Sequence, residues 1–215
     1  MYVLLVIMEV NDLEFIKMHG LGNDFIILNN INGQVKNPEA LARLLCNRRL
    51  GIGGDGLVLI LPSRKATARM RIFNPDGSEA EMCGNALRCV GKYLYVTGEE
   101  KEESFIIETM KDFKHINLEV DNGKVKNIEV DMGEPVLKSA DIPVSGRERK
   151  VVGEKVLIQD KEYEFTAVSM GNPHCIMFVE SVAQAPVTTL GPQVENHSLF
   201  PQKTNVEFVE VIDKN

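Results

Sequence analysis

The chain has no run of lysine or arginine long enough to form a nucleic-acid surface, and its formal charge of −7 opposes a phosphate backbone. A small molecule is the more natural partner. Cysteine is sparse: Cys46, Cys83, Cys89 and Cys175 form no CxxC pair and show no zinc-ligand spacing, which excludes a disulfide scaffold and gives no metal site. They read as reduced thiols in a cytoplasm. Long hydrophobic runs are lacking too, because Met1 to Met8 is apolar but eight residues cannot span a bilayer, no basic residues precede them and no small-residue cleavage site follows. An added edge strand, or a start codon placed too far upstream, explains this extension. There is no short-period repeat and no low-complexity tract. What is present is 215 residues with 44% hydrophobic content, enough for one large or two small soluble domains with a real core.

Leu13 to Met18 and Phe25 to Asn29 read as strands separated by a loop, His19 to Asp24, whose two glycines permit close backbone approach to a ligand. Asn37-Pro38 supplies an N-cap and a proline at the first helical position, with Ala40, Leu41, Leu44 and Leu45 as the apolar face. Gly51 to Gly56 (GIGGDG) suggests a phosphate cradle, yet it lacks the Lys-Ser/Thr ending of a P-loop and follows a helix rather than a strand. A tight helix-to-strand connection at the edge of a pocket is the preferred reading. Strands follow at Leu57 to Leu61 and Ala68 to Phe73, then at Phe105 to Glu108, His115 to Val120 and Val125 to Val130, the last two joined by Asp121-Asn122-Gly123. Met132 to Gly153, with prolines at 135 and 143, reads as an irregular inter-domain passage, which sets domains at 1–131 and 132–215. Lys155 to Gln159, Tyr163 to Met170 and Val206 to Ile212 complete the strands. The two halves share a rhythm of strands, a polar turn carrying cysteine or histidine, then a helix, so a duplicated α+β unit is expected.

The chemistry gathers at Asn74 to Cys89, a polar turn that delivers Cys83 to the start of a helix beginning near Ala86. Unpaired N–H groups and the positive end of the helix dipole favour an anion there, and should lower the thiol pKa towards neutrality. A free cysteine is ordinarily a small core hydrophobe, the reading kept for Cys89, but the polar, glycine-rich surroundings of Cys83 argue for function. His174, in the turn Gly171-Asn172-Pro173-His174-Cys175 between two strands, is the second candidate.

KMHGLGNDF (Lys17 to Phe25), GIGGDG, RIFNPDGSEAEMCGNALRC (Arg71 to Cys89), MGNPH (Met170 to His174) and TNVEF (Thr204 to Phe208) together resemble the diaminopimelate epimerases, in order and spacing, from about residue 14 onward. Proline racemases, which carry a histidine where this chain has Asn85, are the weaker match. The resemblance implies two pseudo-symmetric α+β domains, each a mixed sheet wrapped around a central helix. It implies inversion of the α-carbon of LL-diaminopimelate to the meso form without pyridoxal phosphate, other cofactor or metal, in lysine and peptidoglycan precursor synthesis. It makes Cys83 one of two catalytic thiols and His174 an imidazole that helps set thiol protonation. Asn23, Asn74, Asn172 and Asn205 would hold the substrate, with Gly84 and Asn85 offering backbone N–H donors to its reacting carboxylate.

The family's second cysteine motif, close to G-x-G-E-T-x-A-C-G-x-G-A, has no counterpart in this chain, and neither Cys46 nor Cys175 matches its position. The second domain is therefore expected to be truncated, with apolar sheet face and strand edges exposed and self-pairing into a homodimer left open. The alternative function is a non-catalytic amino-acid-binding or interaction protein on the same fold.

Overall fold

The computed structural model describes residues 13–213. The extension Met1 to Met8 lies outside them. The chain divides into two compact units between Asp131 and Met132.

The first unit is a sheet around a helix. Its strands are β1 (Ile16–Gly20), β2 (Asn23–Asn29), β3 (Gly56–Leu61), β4 (Ala68–Phe73), β5 (Glu79–Ala80), β6 (Ser104–Glu108), β7 (Phe113–Asp121) and β8 (Lys124–Val130). They lie in the order β1-β2-β3-β4-β6-β7-β8, with β5 beside β4. Helix α1 (Pro38–Leu45) crosses between β2 and β3, which are parallel; α2 (Gly84–Thr97) follows β5. Phe25, Ile26, Ile27 and Leu28 of β2 and Leu57 to Ile60 of β3 are buried without alternation, the pattern of strands covered on both faces. Leu41, Ala42 and Cys46 of the α1 segment pack on Ile26, Leu28, Leu57 and Leu59. Helix α2, which buries Ala86, Leu87, Cys89, Val90 and Leu94, packs against β1, β2, β4, β7 and β8.

The local signals largely hold. Asn37 Oδ1 accepts from Ala40 N at 3.0 Å, so the cap and Pro38 start α1 as expected. Its apolar face is turned by one position, because Ala42 is buried whereas Leu44 is exposed. The expected loop from His19 to Asp24 is instead a hairpin closed by Leu21 and Gly22 alone, with φ of 54° and 85°. These values match the two-residue turn whose twist fits paired strands.

The second unit holds β9 (Glu154–Ile158), β10 (Lys161–Ser169), β11 (Pro173–Phe178), a 3-10 turn at Val182–Gln184, α3 (Gly191–Glu195) and β12 (Asn205–Val209). The sheet order is β12-β11-β10-β9, with β11 and β12 parallel. This repeats the first unit's path of an antiparallel hairpin, a crossover carrying a short helix, and a parallel strand. Ile142, Val144 and Val151 join Phe165, Cys175, Met177, Leu190, Val194 and Phe200 in its core, so the stretch read as an inter-domain passage is part of this unit. Its irregular path follows from turns at 139–143, while Val136 and Lys138 still bridge to Ser169 and Lys150. Among the described residues no helix is long and apolar enough to cross a membrane.

Candidate active site

In the first unit three segments meet. The β1–β2 hairpin turn places Asn23 as the first residue of β2, paired with Gly20. Gly20 has space only because it lacks a side chain: a Cβ there would stand 3.2 Å from Asn85 Cβ. The glycine-rich segment after α1 folds back through Gly51 N to Asn47 O (2.9 Å), Gly53 N to Leu45 O (2.9 Å), Gly54 N to Cys46 O (3.2 Å) and Asp55 N to Asp24 O (2.7 Å). Those N–H groups are spent on carbonyls, which removes the phosphate-cradle reading and leaves a connection that delivers Asp55. Asp55 Oδ2 accepts from Asn23 Nδ2 and from Asp24 N, both at 3.0 Å, while Arg48 Nη2 reaches its Oδ1 at 2.7 Å. Asp24 is paired with Arg48 at 2.5 Å and Lys17 at 2.8 Å, and these cations, Arg48 foremost, hold its carboxyl well below the usual range.

The third segment is the polar turn. Asn74 receives Gly77 N at 2.8 Å and gives its amide Nδ2 to Ser78 Oγ at 3.0 Å. Arg71 then clamps Glu79 with two bonds of 2.7 Å, fixing β5 against β4. Three residues beyond β5, Cys83 is the N-cap of α2, extended at φ −149° and ψ 116° and half-buried; its side chain makes no capping bond. The thiol is free to bond elsewhere, and Sγ lies 3.7 Å from Asn23 Oδ1. That same oxygen accepts Asn85 Nδ2 at 3.3 Å, and Arg88 donates to Asn85 Oδ1. Asn23, Cys83 and Asn85 are thus brought together at the N-terminus of α2, where Gly84 is the first helical residue; the amide of Asn74 is turned to Ser78.

The other three cysteines are buried, at 0–3% exposure, and burial raises the pKa of each, that of Cys175 to about 12. Such thiols stay protonated and out of solvent's reach. Cys83 is the free cysteine that is not buried.

The remaining predicted residues belong to the second unit. The turn at Gly171 is shorter than expected, since Pro173, His174 and Cys175 already pair within β11 and only residues 170–172 connect the strands. His174 Nδ1 lies 2.6 Å from Glu207 Oε1 and its Nε2 lies 3.1 Å from Asn172 Oδ1. Asn205, the β12 partner of His174, donates Nδ2 to Pro173 O at 3.0 Å. Asn172, His174 and Asn205 are therefore gathered at the start of the parallel pair β11–β12.

Sequence reasoning assigned no role to Asp55, Arg88 or Glu207. Glu207 had a signal, because alternation in β12 puts it on the same face as Asn205. Asp55 and Arg88 had none, since their partners lie 32 and three residues away in ways only the hairpin and helix decide.

Comparison with known proteins gives one family. The diaminopimelate epimerase family model matches residues 15–138 and 166–215. A diaminopimelate epimerase of Methanococcus maripaludis is 50% identical over 203 residues, 94% of this chain and 73% of that protein. One of Moorella thermoacetica is 49% identical over the same shares. Among solved structures, a probable proline racemase from Agrobacterium radiobacter with bound carbonate superposes with a TM-score of 0.67 at 16% identity, over 92% of this chain and 66% of that one. A hydroxyproline epimerase from Agrobacterium vitis gives 0.62 at 15%. At such identity the racemase likeness is one of fold, whereas half of the residues are shared with the epimerases across both units: the chain belongs to the diaminopimelate epimerase family.

Proposed function

We propose that this chain carries the Cys83 half of the two-group site with which a diaminopimelate epimerase inverts the α-carbon of LL-diaminopimelate to the meso form; the group opposite Cys83 has no counterpart among its own cysteines. The observation that carries this reading is Cys83 itself, a half-buried thiol at the N-cap of a 14-residue helix whose sulfur contacts an amide rather than the core. Inversion needs a base on one face of the α-carbon and an acid on the other. A thiol and a thiolate suit an α-proton, because either form is accessible near neutral pH. As the proton leaves, charge builds on the substrate carboxylate, and the N–H groups of Gly84 and Asn85 at the positive end of α2 are the donors that would meet it. The resemblance assigns Asn23 and Asn74 of the first unit, and Asn172 and Asn205 of the second, to substrate as neutral amides that align it. It gives His174, seated on Glu207 in the second unit, a proton-setting role. Cys46, Cys89 and Cys175 are buried and do not supply the second group. The four free thiols suit a reducing cytoplasm.

Proton NMR of LL-diaminopimelate in D2O tests the assignment. Loss of the α-proton signal should depend on Cys83 and fall by at least about 10³-fold in Cys83→Ala. Near-normal exchange by that variant would sink it.

A further inference from the structure

The amide of Asn23 is held from both ends. A carboxylate only accepts hydrogen bonds, so the Asn23 atom 3.0 Å from Asp55 Oδ2 is the Nδ2 donor. A guanidinium only donates, so Arg88 draws Oδ1 of Asn85 toward itself and turns Nδ2 of Asn85 to Asn23, at 3.3 Å. Both constraints leave Asn23 Oδ1 as the atom facing Cys83 Sγ. Asp55 is itself anchored by Arg48 on Oδ1 and by Asp24 N on Oδ2, so it does not rotate with the amide.

We propose that Asp55 is a positioning residue that, through Asn23, decides which atom the Cys83 sulfur meets, and so keeps the resting thiol protonated. An oxygen opposite the sulfur accepts the S–H hydrogen. Rotated by half a turn, the amide would offer N–H instead, which favours the thiolate. The resting enzyme then holds Cys83 as the proton donor until substrate displaces Asn23 Oδ1. Asp55 touches neither the sulfur nor the reacting atoms. This inference rests on the reading of Cys83 as the reacting thiol.

The test is the rate at which iodoacetamide modifies Cys83 at neutral pH, followed by mass spectrometry of its peptide. Cys46, Cys89 and Cys175, being buried, report by staying unmodified that each variant is folded. Asn23→Ala and Asp55→Ala should each raise the rate by about threefold to tenfold, the scale of one hydrogen bond. The double variant should be no faster than Asn23→Ala alone, because Asp55 has no route to the sulfur except through Asn23. Asp55→Asn is nearly isosteric and covers the case in which alanine unfolds the chain. There the single amide oxygen cannot accept both from Arg48 and from Asn23 Nδ2 with Asp24 N, so either the hold on Asn23 or the Arg48 anchor of residue 55 is lost and the rate rises again. Unchanged rates in both Asp55 variants, or effects that multiply in the double variant, would overturn the proposal. The readout uses no substrate, so it is separate from the exchange assay that tests the epimerase assignment.

Discussion

His174 Nδ1 sits 2.6 Å from Glu207 Oε1, one strand across the parallel pair β11–β12 and two residues beyond the backbone partner of His174, Asn205. A carboxylate accepts only, so the Nδ1 nitrogen carries a proton and Nε2 is the atom that faces Asn172 and the edge of the sheet. The pairing gives the imidazole one orientation and names Glu207 as its support.

Replacing Glu207 by Gln removes the charge and keeps the shape. Turnover should fall about tenfold, less than the ~10²-fold or more that a proton-transfer group itself contributes because Glu207 acts only through His174, with KM changed less than kcat. Steady-state kinetics in the enzyme assay check this, and His174 imidazole resonances should shift in the same variant. An unchanged kcat would leave Glu207 as a surface ion-pair partner only.

Gly20→Ala tests the close approach of the hairpin to α2. The new Cβ would stand 3.2 Å from Asn85 Cβ and 3.3 Å from Asn85 Oδ1, so Asn85 must give way and pull its amide from Asn23. Activity should drop about tenfold, as a small misplacement in a positioned site does, while Tm shifts by only a few degrees. A drop in Tm with no change in activity per folded molecule would refute the link.

Cys175 predicts an alkaline limit in the second unit. Its thiol is wholly buried and burial pushes its pKa up to about 12, whereas the unfolded chain ionises near the ordinary value of about 8.5. Above the unfolded value the unfolded state has lost a proton that the folded state keeps. Stability is therefore complete below about pH 8.5 and is lost as pH rises towards about 12, at up to about 1.4 kcal/mol per pH unit. Urea unfolding across that range should show a shallower slope in Cys175→Ala than in the parent; equal slopes would exclude the effect.

Much of this was legible in the linear chain. Asn37-Pro38 announced α1, Asp121-Asn122-Gly123 announced the β7–β8 hairpin, and the polar turn ahead of Ala86 announced a helix with Cys83 at or just before its first turn, because each signal lies within a few residues. The motifs from His19 to Asn205 named Asn23, Cys83, Asn85 and His174. Their placement was misjudged where pairing overrides composition: HGLGND is nearly all hairpin rather than loop, and NPHC lies mostly in β11.

The sequence by itself thus determined the family, the candidate thiol Cys83 and the order of the elements, since these depend on local propensity and on motifs that sit in short stretches. Only the tertiary structure decided which thiols are buried, that the glycine-rich loop spends its N–H groups on carbonyls and delivers Asp55, and that Glu207 supports His174. Those relations join residues 32 and 33 positions apart. They exist because the hairpin, the crossover and the parallel pairing bring donors to acceptors, and hydrogen-bond direction is set by which group can only give and which can only accept.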